Sequence, residues 1–76
     1  MIAEPDKLRA LFEIFKLAIE DERRAQEVYT RALLICEDDL SRQVLERLYD
    51  DEVRHEHDLL QRYKAIRLLL EGGEDS

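Results

Sequence analysis

Apolar residues recur at helical spacing along almost the whole chain. In the first half one heptad line reads Leu8, Phe15, Glu22, Tyr29, Cys36, and the line beside it reads Leu11, Ala18, Ala25, Ala32. In the second half the lines read Leu45, Glu52, Leu59, Ile66 and Leu48, His55, Arg62, Leu69. No alternating strand pattern competes with them. Pro5 suits a first helical turn, where its missing N–H is not needed, and Gly72 followed by Gly73 is a natural stop. The one internal break is Cys36-Glu37-Asp38-Asp39-Leu40-Ser41, in which Asp38 or Asp39 can cap a second helix. The pattern therefore predicts helix 1 over about residues 5–36, helix 2 over about 39–71, and a flexible acidic tail over 72–76. With so short a connection the expected fold is all-α, a single antiparallel αα-hairpin over residues 1–76.

More apolar residues flank these lines: Phe12, Ile14, Ile19, Val28, Leu33 and Ile35, then Val44, Tyr49, Val53, Leu60 and Tyr63. Two helices cannot cover so wide a face on their own. The hairpin is expected to dimerise into a four-helix bundle, with apolar surface to spare for a larger ring.

Size points the same way. A chain of 76 residues buries too small a fraction of its surface to be comfortable without disulfides, a metal or a partner. Cys36 is the single cysteine, so no internal disulfide can form, and it reads as a small buried apolar residue. Charged residues make up 41% of the chain, 19 acidic against 12 basic, for a net charge of -7. That balance argues against nucleic acid or an anionic membrane as partner. No apolar run approaches the ~20 residues that cross a bilayer. The first residues lack the basic start and apolar stretch of a signal peptide. The expected setting is cytoplasmic.

Chemistry enters where the apolar lines are interrupted. Glu52-Val53-Arg54-His55 is a Glu-x-x-His step, which puts carboxylate and imidazole on one helical face. Di-iron bundles use two such steps plus one Glu from each of two further helices. This chain holds one step and one well-placed Glu, Glu22, in a slot otherwise filled by Leu, Phe, Tyr and Cys; Glu13, Glu20 and Glu27 line a more outward face. A twofold dimer supplies the whole set. Two divalent ions would balance the four carboxylates that two copies bring together, which otherwise repel. Such a donor set suits two iron ions per dimer, with manganese or zinc as substitutes. The expected metal ligands are Glu22, Glu52 and His55. Tyr29, two turns from Glu22, either serves the centre as hydrogen-bond donor or electron carrier or is an ordinary core tyrosine. Glu56 is close in phase to Glu52 and can act as a neighbouring carboxylate. His57 reads as a surface histidine and Arg62 as half of a salt bridge across the bundle.

Together, Glu22-Arg-Arg-Ala25-Gln-Glu-Val-Tyr29 and Glu52-Val-Arg-His55 resemble the rubrerythrin-like branch of the ferritin superfamily, in which Glu-x-x-Ala-x-x-x-Tyr on one helix accompanies Glu-x-x-His on the next. The likeness runs from about Phe15 to Tyr63. The half-length form is closest to the two-helix encapsulated ferritins. That resemblance implies a ferroxidase site shared between two subunits, ligated by Glu22, Glu52 and His55 with Tyr29 beside it. It further implies ring-like assembly, iron and dioxygen as reactants, and an encapsulin shell, a protein nanocompartment, as host. The chain departs from that pattern at Val28, where those proteins carry Trp, and in having Gly72-Gly73-Glu74-Asp75-Ser76 where they have a docking extension. The residues themselves leave two other readings open: a non-enzymatic metal-binding module, and a structural hairpin dimer in which Glu22 and His55 fix register.

Overall fold

A computed structural model describes the backbone of residues 5–75 and the side chains of residues 6–72. Residues 1–4, which carry most of the reading on a signal peptide, and Ser76 of the expected tail lie outside it. The chain forms two helices, α1 (Pro5–Ile35) and α2 (Asp39–Asp75), packed as a hairpin. The all-α αα-hairpin is thus the fold. Neither helix is long and apolar enough to cross a membrane.

The turn is built from side chains that satisfy helix ends. Asp38 caps α2: its Oδ2 accepts the Ser41 backbone N–H at 2.8 Å, and its carbonyl accepts the Arg42 N–H at 3.1 Å. Arg42 then reaches back across the turn and donates from Nη2 to the carbonyls of Cys36 and Leu33, at 3.1 and 3.5 Å. Those carbonyls have no partner further along α1, so a residue of the second helix closes the first. Cys36 is half-buried and points its thiol at the Asp38 carbonyl, 3.4 Å away.

At the other end α2 passes through Gly72 and runs to Asp75, four residues beyond the expected stop. Among the described residues no glycine adopts a positive φ, so the left-handed residue that normally closes a helix before a glycine stop is missing. Glycine costs a helix roughly 1 kcal/mol relative to alanine, which weakens a terminal turn without forbidding it.

The core is a thin line. Only Ile19 and Ile66, at 5% and 2% exposure, are fully buried among the described residues. Phe12 stacks on Tyr63 nearby, ring centroids 4.5 Å apart and planes at 19°. The hairpin measures 57 × 19 × 14 Å, with a radius of gyration of 17.1 Å against about 11 Å for a compact chain of this length. It exposes 6122 Å², where a compact monomer of its mass would expose about 4,900 Å². That surplus exceeds the ~800 Å² each partner commonly buries in a stable protein interface.

One line is corrected by the packing. Leu45, Glu52, Leu59 and Ile66 all turn toward α1, but of Leu48, His55, Arg62 and Leu69 only Leu48 is even half-buried. The second inward line of α2 is Tyr49, Glu56, Tyr63 and Leu70. A straight helix drifts about 20° per heptad against a seven-residue repeat, enough to exchange neighbouring lines over four turns.

The cap gives a testable acid dependence. Hydrogen bonds from Ser41 hold the Asp38 carboxyl below its ordinary 3.8. A folded-state pKa below the unfolded one adds stability above about pH 4 that is lost as pH falls through the folded value. Asp38→Asn retains an acceptor but no titrating group, so its melting temperature should fall less than the parent's between pH 6 and pH 3 in circular-dichroism melts. Parallel acid limbs would show that Asp38 contributes nothing through its charge.

Candidate metal centre

Glu22 lies near the middle of α1, and Glu52 and His55 lie one helical turn apart on α2, level with it across the hairpin. Their donor atoms, one from each residue, lie within 4.8 Å of one another. His55 Nδ1 is 3.4 Å from Glu22 Oε2 and 3.7 Å from Glu52 Oε2. Neither approach is a hydrogen bond. Donors that ligate a common ion at about 2.0–2.2 Å stand roughly 3–4.4 Å from each other. The two shorter separations already fall in that range.

The most telling atom is Glu22 Oε2, which is buried and has no hydrogen-bond partner. Leaving a buried acceptor unsatisfied costs about 1–3 kcal/mol, more when it is charged. The nearest group facing it is the imidazole nitrogen of His55. A cation between Glu22, Glu52 and His55 would satisfy the oxygen, and two carboxylates with one imidazole are donors that iron, manganese and zinc all accept. On chemistry and spacing, the residues fit a metal.

Around the triad the charges are arranged asymmetrically. Glu22 and Glu52 retain 22% and 18% side-chain exposure, whereas His55 retains 56%. The triad therefore opens on one side of the hairpin. Asp21 pairs with Arg24 and Asp51 with Arg54, so an acidic neighbour of each ligand carboxylate is neutralised locally. Glu56 turns away from the cluster. Its Oε1 accepts from Gln26 and its Oε2 from Arg23, both at 2.7 Å, and these two donors, Gln26 foremost, hold its carboxyl below the usual range.

On the open side α1 is largely apolar, whereas α2 mixes apolar residues with Asp51, Asp58 and Arg62. At 100° per residue, Leu11, Ile14, Ala18, Ala25 and Val28 of α1 lie on the flank to which Glu22 belongs, and Val44 and Leu69 of α2 lie on the flank of His55. The opposite side has an open groove lined by Arg23, Gln26, Glu27, Thr30, Arg31 and Tyr49, with Leu34 and Val53 exposed on the same side.

The structure thus brings together Glu22, Glu52 and His55 and leaves other candidates apart. Tyr29 is half-buried on the Glu22 line, and no hydrogen bond joins it to a ligand carboxylate among the described residues. His57 is exposed; so is Arg62, which makes no ion pair among the described residues. The Arg23–Glu56–Gln26 cluster escaped sequence reasoning, because a glutamate in a helix this acidic carries no mark of burial; only its phase beside Tyr49 and Tyr63 could have betrayed it. No family model, curated protein or solved structure matches the chain.

If the Glu22 carboxylate is strained without a cation, an apolar residue should relieve it. Glu22→Leu is expected to raise the melting temperature of the metal-free protein, by about 4–8 °C for each kcal/mol recovered, while ending metal retention. A lower melting temperature in metal-free buffer would mean that the oxygen is satisfied in solution.

Proposed function

We propose that two copies of the hairpin pair through the apolar side that carries Glu22, Glu52 and His55, and that the completed centre oxidises ferrous iron with dioxygen. The observation that carries this reading is the buried Glu22 oxygen, which accepts no hydrogen bond and faces Glu52 and His55 beside the uncovered apolar flank of α1. One chain supplies two carboxylates and one imidazole, half of the donor set that a di-iron bundle uses. Pairing about a twofold axis doubles it and covers the surplus apolar surface in the same step.

In this proposal ferrous iron is substrate. Each ion gives up one electron and dioxygen takes the two. The chain's own part is to gather anionic donors that favour the ferric state, to hold them on two packed helices, and to present them on the side where the partner's set completes them. Tyr29, on the same line as Glu22, is the residue placed to donate a hydrogen bond or an electron once a partner closes the bundle. The pattern resembling the encapsulated ferritins supports iron over zinc as the working metal, and iron oxidation over peroxide reduction. The composition favours a cytoplasmic setting, and the resemblance adds a protein shell as host, against which stands the departure at Gly72-Gly73-Glu74-Asp75-Ser76.

The exposure of His55 favours a second reading, a carrier that binds metal and hands it on without oxidising it. Both predict binding, and kinetics separates them. Anaerobic titration should load one ferrous ion per chain, two per dimer, and exposure to air in a stopped-flow should give prompt ferric absorbance that Glu22→Ala abolishes. Loading with no ferric burst identifies the carrier. Failure to retain iron, manganese or zinc at all would leave a structural hairpin dimer and end the proposal.

A further inference from the structure

On the side of the hairpin away from the opening, Glu56 is held by two residues of α1 at once. Gln26 Nε2 donates to Oε1 and Arg23 Nε to Oε2, each at 2.7 Å. Arg23 is the residue after Glu22, Glu56 is the residue after His55, and Glu56 stands one helical turn beyond Glu52. The three side chains therefore tie α1 to α2 at the level of the candidate ligands. Glu56 retains only 18% side-chain exposure and Arg23 keeps 58%, so the Gln26 contact is part-buried while the Arg23 contact faces water.

We propose that Glu56, clamped by Arg23 and Gln26, is a positioning residue that fixes the axial register of the two helices and so holds Glu22 opposite Glu52 and His55. Apolar contacts are non-directional and tolerate sliding; the turn ties the helices at one end through Arg42, and at mid-length the thin core offers little further restraint. A carboxylate gripped at both oxygens by donors spaced three residues apart on the facing helix has one register that satisfies it. The clamp also occupies the Glu56 carboxylate and keeps it out of the donor set. The consequence for metal binding rests on the centre proposed above; the consequence for register does not.

Two measurements test it. Nitroxides at Glu20→Cys and Glu46→Cys, in a Cys36→Ser background diluted with unlabelled chain, report helix register as a spin–spin distance in metal-free protein. Glu56→Ala should broaden and displace that distribution, and Gln26→Ala, which removes one grip, should do so less; Gln26→Ala carries the test if Glu56→Ala does not fold. Manganese affinity should fall about 10- to 100-fold in Glu56→Ala, and largely recover in Glu56→Gln, whose amide oxygen still accepts from α1. Distributions that superpose on the parent's in both alanine variants overturn the clamp. An affinity lost as fully in Glu56→Gln as in Glu56→Ala makes Glu56 a ligand and ends its positioning role. Should the parent bind no manganese, the metal centre falls while the distance measurement still decides the clamp.

Discussion

Two helices lying side by side can hide one narrow stripe of each from water, and this chain has more apolar surface than that stripe can take. Among the described residues only Ile19 and Ile66 are fully buried, while Leu11, Ile14, Val28, Val44 and Leu69 remain exposed. Burial at about 25 cal/mol per Å² must offset the entropy of ordering every residue, and a core of this thickness leaves little margin. Side chains compensate where they can. Asp38 and Arg42 close the helix ends at the turn, and Arg23, Gln26 and Glu56 tie the helices at mid-length.

The same shortage shapes the candidate centre. In a large protein a carboxylate such as Glu22 could be sunk in a preformed cage. Here it lies at the edge of the one interface the chain possesses, half supported by its own hairpin. Position makes it informative. It replaces an apolar residue on the Leu8–Phe15–Tyr29 line, and its inner oxygen faces an imidazole without a hydrogen bond. A residue selected for stability alone would be apolar at that slot, so the cost points to a use.

Most of the fold was legible in the sequence because its signals are local. Helix-forming composition, one cluster of cap residues and Pro5 placed both helices, and the Asp38 cap lies within the segment singled out for it. Glu22, Glu52 and His55 were legible as a set for another reason: helical phase alone brings the two α2 residues together, and interruption of an apolar line marks Glu22. What was not legible depends on small angles and long separations. The exchange of the His55 line for the Glu56 line arises from the drift between a 3.5- and a 3.6-residue repeat. The Glu56 clamp joins residues 30 and 33 positions apart, through side chains that look like any others on a charged helix. Gly72 was read as a stop because glycine usually marks one, yet here its cost falls on a last turn already prone to fray.

The two sides of the hairpin divide the work of holding a site together. One side carries the clamp, in which Arg23 and Gln26 occupy both oxygens of Glu56. The other carries an unsatisfied carboxylate, an exposed imidazole and a band of apolar side chains. On the proposed reading, a clamped back and an uncovered front let one short hairpin hold half a donor set while another copy supplies the rest. Charge argues for the order of events as well. Two fronts brought together without a cation would confront four carboxylates in a low dielectric, so apolar contact favours pairing while like charge opposes it. On this reading metal does more than occupy the centre: by removing that repulsion it sets how tightly two hairpins close, which couples assembly to the availability of the ion.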